Sequence, residues 1–589
     1  MNFTSVYHRS SDNYCYPLNT EDLIINLRTG YEVEQVFLHY GDPFTNGILG
    51  SENRWEGKRE EIIYKKNLKY GLWWTTTVQP EFKRCRYFFE LITVEGEIYY
   101  YFEDKLCTKE ELEKLHHEPG CFVFPWMNEA DINQTPKWVN DTIWYQIFPE
   151  RFCNGEQTID PEGVKPWAGP KDRVKNNEFY GGDLRGIINK LPYLKELNIS
   201  GIYLTPINES QSSHKYDTID YLSIDPHFGT KETMIELVNK AHELGIRVML
   251  DGVFNHTGKE AKEWKDVVEK GPQSKYYNWF MVNEWPFDPN KWNTKEGKYY
   301  SFAFNDKMPK LNTNNPEVRK HIIDICEYWV KEYGIDGIRL DVANELSHRF
   351  CKELRTRMKA LNTEIYILGE VWNDSINWLR GDEFDAVMNY PLGNAISDFW
   401  IEESYTKKDF EEDINRCYTL YMQQTNDVLF NLLDSHDTIR LSSKTPDVNK
   451  VYQQLAVLFT MPGSPCMFYG TEVLLEGAHD PDCRRCMPWK EIEEGLYDEH
   501  LSFVKNLTRL RKEEALFRSR NFHFTNGIDN ERVIEYIKID DYDSEKMGIV
   551  LNCDKKAIEV KIKGNEMMSH LYQNEQLEPG GIVIWKIEE

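Results

Sequence analysis

The run TKETMIELVNKAHELGIRVMLDGVFNH, residues 230–256, holds one helix and one strand in succession. Thr230 is an N-cap candidate, and Met234, Leu237, Val238, Ala241 and Leu244 recur at the three- and four-residue spacing of a single buried helix face, with Gly245 as the stop. The mostly apolar stretch 246–250 then ends on Asp251. The same unit recurs at 315–341. Asn315 and Pro316 open a helix, Val318, Ile322, Ile325 and Trp329 share a face, Gly334 ends it, and the mostly apolar run 337–340 finishes against Asp341. This is the alternation of a parallel sheet covered by helices. Comparable runs at 143–148, 201–204, 365–368, 387–390, 428–433 and 466–469 bring the strands to eight. Eight βα units predict an α/β fold of the (β/α)8 barrel type. The gap between the third and fourth strands exceeds one helix, so 257–312 is expected to form an inserted subdomain.

Working outward, 1–122 reads as a β domain: 87–94 and 98–102 are rich in aromatic and β-branched residues around the turn Glu95-Gly96. A helix-friendly charged patch at 105–118 is broken by Pro119-Gly120, and 123–137 is taken as a linker. The barrel is assigned to 138–514. Alternation returns in 515–589, where Ile558, Val560 and Ile562 interleave with charged residues, so a small C-terminal β domain closes the chain.

The chain has 589 residues, with 97 acidic against 70 basic and a formal charge of −27. That surplus repels nucleic acid and anionic lipid, so neither partner is expected. No apolar run is long enough to span a bilayer, and the first thirty residues lack a basic segment followed by an apolar one. Twelve scattered cysteines read as buried thiols in a reducing compartment. A soluble cytoplasmic protein is expected.

The signatures G-x-G-x-x-G, G-x-S-x-G, H-E-x-x-H and the phosphate-binding loop do not occur. Acidic residues at strand ends do: Asp251 in Asp-Gly-Val-Phe-Asn-His, Asp341 after Gly-Ile-Arg-Leu, Glu370 in Leu-Gly-Glu-Val-Trp, and Asp437 in Asp-Ser-His-Asp. In a parallel barrel all strands open on one face, where residues distant in sequence converge. Convergent carboxylates suit glycoside hydrolysis, which needs a proton donor for the leaving oxygen and a second carboxylate for the anomeric carbon. Arg339, two residues before Asp341, falls on the same side of its strand and would keep a neighbouring carboxylate ionised. His256 and His436 would donate to sugar hydroxyls. Taken singly, each such residue is more often a cap, a turn former or a packing group.

Together these segments resemble the α-amylase family, glycoside hydrolase family thirteen, from about Trp138 onward. The resemblance implies Asp341 as nucleophile, Glu370 as general acid/base and Asp437 as a third carboxylate steadying the transition state. It places Asp251, Arg339, His256 and His436 around the innermost sugar, with Tyr216 of His-Lys-Tyr-Asp-Thr as the aromatic platform beneath it. Met-Pro-Lys-Leu-Asn at 308–312, Val-Ala-Asn-Glu at 342–345 and Asp-Pro-Asp-Cys-Arg at 480–484 are similar to the cyclomaltodextrinase, maltogenic amylase and neopullulanase group. By that likeness Asp480 and Arg484 contact inner sugars, Glu345 and Trp372 shape the acceptor side, and the leading β domain is a β-sandwich that makes a homodimer and walls the neighbour's cleft. Asn373 departs from the group, which commonly has His there.

Asn154, Glu156 and Asp160, with the Gly181 carbonyl and Asp183, resemble an oxygen-rich calcium loop of related enzymes, although Ile159 stands where a ligating Asn is common. Any calcium would be structural, and no cofactor is required for the chemistry. Cys483 and Cys486, with His479 nearby, lack a second ligand pair and read as thiols, not zinc ligands. The insert aromatics Trp279, Phe280, Trp285, Phe287 and Trp292 are expected mainly to build a small core. The expected activity is retaining hydrolysis of α-1,4 and some α-1,6 bonds in cyclodextrins, maltooligosaccharides, pullulan or starch, with transglycosylation alongside. The rivals are another specificity of the family, such as an oligo-1,6-glucosidase or a transferase, and a non-catalytic sugar-binding subunit, which would have lost a catalytic carboxylate.

Overall fold

A computed structural model describes residues 2–47, 55–540 and 544–588. The chain divides into two compact units: Met1–Gln134 with Asp374–Gly381 and Tyr405–Asn426, and Thr135–Asn373 with Asp382–Ser404 and Asp427–Glu589.

The first unit is built on two antiparallel sheets, one of four strands and one of six, around a core including Leu23, Ile25, Trp74, Tyr87 and Phe89. Its hairpin forms as read, with Cys85–Thr93 against Ile98–Tyr101 and Gly96 at φ 82° in the turn. The stretch set aside as a linker opens differently. Phe122–Phe124 is a strand paired antiparallel to residues 85–87, because Phe122 buries its ring among Tyr87, Phe89 and Tyr101. The helix Lys407–Cys417, which sequence alone leaves inside the barrel, belongs to this unit. Asn67 donates to Glu411 at 2.9 Å, and Asn415 donates back to the Asn67 carbonyl at 3.0 Å.

The second unit holds a parallel barrel of eight strands: β1 Trp144–Ile147, β2 Gly201–Leu204, β3 Arg247–Gly252, β4 Gly337–Leu340, β5 Tyr366–Gly369, β6 Ala386–Val387, β7 Phe430–Leu432 and β8 Ser464–Phe468. They pair in the order β6-β5-β4-β3-β2-β1-β8-β7, and a parallel bridge between Met388 and Phe430 joins the ends. β6 is shorter than its sequence suggests because Asn389 turns the chain into the helix Tyr390–Ile401, accepting from the Leu392 amide with Pro391 in the first turn.

The helices begin where their caps are legible. Thr230 forms a reciprocal box with Thr233 ahead of Lys231–Glu243, and Gly245 takes φ 73° after it. Asn315 accepts from Glu317 and Val318 amides ahead of Pro316–Tyr328. The next turn, Trp329–Tyr333, widens to π geometry and buries Trp329. Between β3 and the helix Pro316–Tyr328 the chain makes a further helix, Lys262–Lys270, and several short turns. Their core is Trp264, against which Phe280, Phe287 and Tyr299 pack with ring centroids 4.9 to 5.3 Å away. Trp292 stands outside it, 80% exposed. A six-stranded antiparallel sheet from residue 521 onward ends the chain.

Candidate active site

Three of the acids stand at the ends of barrel strands. Asp251 lies within the last residues of β3, Asp341 directly follows β4 and Glu370 directly follows β5, while Asp437 sits five residues beyond β7. All four reach the same end of the barrel. A cavity of about 520 Å³ opens there, lined by Asp341, Glu370 and Asp437 together with Tyr216, His256, Glu345, Trp372, Asp480 and Arg484. The residues singled out from sequence for catalysis and sugar contact are thus brought together. Asp251 and Arg339 lie just beneath, and His436 is buried beside Asp437.

Arg339 is the hub. Its Nη1 donates to Asp341 Oδ1 at 2.8 Å and to both Asp251 oxygens at 2.9 Å, and its Nη2 stands 2.9 Å from Glu370 Oε2. Alternation along β4 makes this possible, since Arg339 and Asp341 share a side. Three carboxylates against one guanidinium, all shielded from water, favour a proton held within the cluster. Burial pushes the Asp341 carboxyl well above its usual value; Arg339 opposes this, and Glu370, Asp251 and Asp437 reinforce it. Burial also raises Asp251, against the pull of Arg339 and of hydrogen bonds from Tyr203 and Tyr216.

Around this hub the polar groups are paired. Tyr203 and Tyr216 hydroxyls donate to Asp251 Oδ2 at 2.6 and 2.9 Å. The Tyr216 ring lies parallel to His436 with centroids 5.4 Å apart, and its hydroxyl also meets His436 Nε2. Burial holds His436 well below its ordinary value, hence neutral. Gln146 Nε2, 2.6 Å from Nδ1, and Asp437 Oδ2, 3.1 Å from Nε2, fit a ring that accepts at Nδ1 and donates at Nε2. His256 is likewise driven down, to about 4, by burial; its Nε2 meets the Tyr216 carbonyl at 3.0 Å, and Phe302 stacks on its ring. Arg484 bridges Asp437 at 3.1 Å and Asp480 at 2.8 Å.

The opposite rim is looser. Glu345 and Trp372 are 42% and 43% exposed. Lys310 donates to Glu345 Oε2 at 2.8 Å and to Asn255 Oδ1, next to His256. The Trp372 ring stacks on Tyr390 at 3.8 Å, and its Nε1 donates to Glu370 Oε1 at 3.1 Å. Sequence reasoning missed Gln146, Tyr203, His214, Phe302 and Tyr390. The one signal available was a polar-tipped residue, Tyr203 or Gln146, inside an otherwise apolar barrel strand.

The calcium-loop residues lie together away from these carboxylates. Asn154 Nδ2 donates to Asp160 Oδ1 at 2.8 Å, and a side chain at Gly181 would strike both groups. Asp183 caps the helix Leu184–Glu196, accepting from the Gly186 amide at 2.6 Å and from the Gly155 and Glu156 amides. Asn154 Oδ1 is buried without a partner, which fits a cation, whereas the Asp183 oxygens already serve backbone donors. Among the described residues no three His, Cys, Asp or Glu side chains form a metal-binding group. Cys483 donates to the His436 carbonyl at 3.1 Å, and burial lifts the Cys483 and Cys486 thiols to about 12.

Residues 146–506 match the family model described as the α-amylase catalytic domain, and residues 1–128 match the N-terminal ig-like domain model. A cyclomaltodextrinase of Geobacillus thermopakistaniensis (strain MAS1) is 42% identical over 562 residues, covering 94% of this chain and 92% of its own. An intracellular maltogenic amylase of Bacillus subtilis is 41% identical, covering 87% and 85%. A solved cyclomaltodextrinase superposes with a TM-score of 0.88 at 37% identity, covering 100% of this chain and 98% of its own.

Proposed function

Because the chain belongs to the α-amylase family and is an α-glucan hydrolase of the cyclomaltodextrinase, maltogenic amylase and neopullulanase type, we propose that it cleaves cyclodextrins and short maltooligosaccharides with retention. The observation that carries retention is the single guanidinium touching both Asp341 and Glu370. That bridge suits the spacing of about 5 Å used by a nucleophile and acid pair.

With the one proton of the cluster carried by Glu370 and Asp341 left ionised against Arg339, Asp341 attacks the anomeric carbon while Glu370 passes that proton to the departing glycosidic oxygen. The C–O bond breaks as the Asp341 ester forms. Glu370, now a carboxylate, takes a proton from water, whose oxygen displaces Asp341 and restores both groups. A sugar hydroxyl in place of that water gives transglycosylation. Asp437, oriented by His436 and Arg484, stabilises the positive charge that develops on the sugar ring. α-1,6 bonds, as in pullulan, enter as secondary substrates.

The small-substrate preference goes with a homodimer in which the β-sandwich of one copy walls the other's cavity. The exposed Phe44, Phe82 and Tyr70 on the first unit offer aromatic surface for that contact. A cytoplasmic location is supported by the name of the Bacillus subtilis relative; among the described residues no helix is long and apolar enough to cross a membrane. Calcium would be held by Asn154, Glu156 and Asp160 with the Gly181 carbonyl, the Asp183 oxygens being taken by backbone amides, and would stiffen that loop without touching the reaction.

Product analysis on β-cyclodextrin, pullulan and soluble starch in parallel tests the reading, with NMR of the first-formed anomer and sizing by light scattering. The α-anomer, faster ring opening than starch cleavage and a dimer are expected. A β-anomer would overturn retention, and a monomer favouring starch would overturn the small-substrate reading.

A further inference from the structure

We propose that Trp372 is a positioning residue whose indole N–H, by filling one in-plane position on Glu370 Oε1, directs the proton given to the leaving group to the other. This rests on Glu370 being the acid/base.

The two oxygens of Glu370 stand in unlike surroundings. Oε2 accepts from the Val342 amide at 2.9 Å and faces Arg339 Nη2 at 2.9 Å, off the line of its N–H. Val342 reaches it only by adopting φ 46° and ψ 45°, a left-handed conformation that a β-branched residue rarely holds. The strain falls on the residue after Asp341, and the next amide, Ala343, donates to the Glu370 carbonyl at 3.1 Å. The backbone therefore fixes Oε2 as an acceptor beside a cation. A proton there would point at one donor and one positive charge, so it belongs on Oε1.

Oε1 has two positions in the carboxyl plane. The Trp372 N–H fills one at 3.1 Å, which leaves the hydroxyl proton the other. The indole is held in that direction by its stack on Tyr390, 3.8 Å away and within 4° of parallel. As the proton leaves, Oε1 gains charge and the indole hydrogen bond becomes charge-assisted, so it is stronger in the transition state than before it. The benefit falls on bond cleavage by an acid. Leaving groups that depart without a proton gain nothing.

Trp372→Phe keeps the ring and its stack and deletes only the donor. Aryl α-maltosides hold sugar and aglycone size nearly constant while the acidity of the phenol varies. For Trp372→Phe, kcat/KM is expected to fall about ten- to thirtyfold on phenyl α-maltoside and less than about threefold on 4-nitrophenyl α-maltoside, a steeper leaving-group dependence than wild type. Trp372→Ala, which also loses the ring, is expected to lower the whole series further with that same steepened slope. A uniform loss across the series in Trp372→Phe would reduce Trp372 to a sugar contact and overturn the proposal, as would no loss at all. The acid/base assignment fails separately: Glu370→Gln would then keep wild-type rates on phenyl α-maltoside.

Discussion

The two ends of the cavity are built by different rules. At the inner end Asp251, Tyr203, Tyr216, Arg339 and His436 are mutually hydrogen-bonded on barrel strands or the loops just beyond them. At the outer end Glu345 depends on Lys310, and Trp372 on one hydrogen bond and one ring stack, with roughly two-fifths of each open to solvent. A group with many buried partners cannot move without breaking several contacts at low dielectric, whereas a rim group adjusts at little cost. The inner end is thus suited to fixed chemistry, and the outer end to choosing what arrives or leaves.

Substitution at the inner end should therefore be all or nothing. Asp341→Asn or Glu370→Gln is expected to lower kcat on maltooligosaccharides by at least ~10³-fold while the melting temperature, read by calorimetry, moves by no more than about 2 °C. Either variant retaining a tenth of the wild-type rate would end its assigned role. Arg339→Met strips three buried carboxylates of their shared cation. A loss of about 3 to 5 kcal/mol in urea unfolding is expected, and a loss below about 1 kcal/mol would show that the inner end is not the rigid part.

Acid titration sharpens the same contrast. In the unfolded chain His256 takes up a proton near pH 6.5, but in the fold only near 4. The unfolded state thus binds more protons between these values, so stability is full above pH 6.5 and is lost as pH falls toward 4, by on the order of 3 kcal/mol from this group. In His256→Gln that share of the pH dependence should vanish from unfolding curves at pH 7 and 4; an unchanged slope would place the titration elsewhere. The smallest effect is expected at the rim. Lys310→Met should alter stability by less than about 1 kcal/mol yet shift the ratio of transfer to hydrolysis products several-fold by chromatography. If it abolished cleavage, the division between the two ends would fail.

What the sequence discloses follows the same line. Asp251, Asp341 and Glu370 stand out because each interrupts an apolar run at its end, and the barrel places such ends together without further information. Thr230 and Asn315 announce their helices because a cap is a local bond. Tyr203 and Gln146 do not stand out, since their value lies in Asp251 and His436, which arrive from strands far along the chain. Lys407–Cys417 is equally opaque. Phe410, Ile414 and Cys417 make an ordinary amphipathic face, and nothing local says that it belongs with the sandwich unit and not with the barrel. In the insert, Phe287 and Trp292 look alike as letters, yet only one meets Trp264.

The two-residue β6 leaves the barrel with a seam. Beyond the Met388–Phe430 bridge, closure there relies on the Asn389 amide donating to the Phe430 carbonyl at 2.8 Å and on a side-chain rung in which Asn389 Nδ2 donates to Asn431 Oδ1 at 2.8 Å, Asn431 being held from its other side by its Nδ2 donating to the Pro462 carbonyl at 2.7 Å. A ladder with so few backbone rungs opens at lower free energy than its neighbours. Deuterium should enter the amides of 386–389 before those of β2 to β4, so the cylinder breathes along one line of its wall, beside Tyr390, on which Trp372 leans.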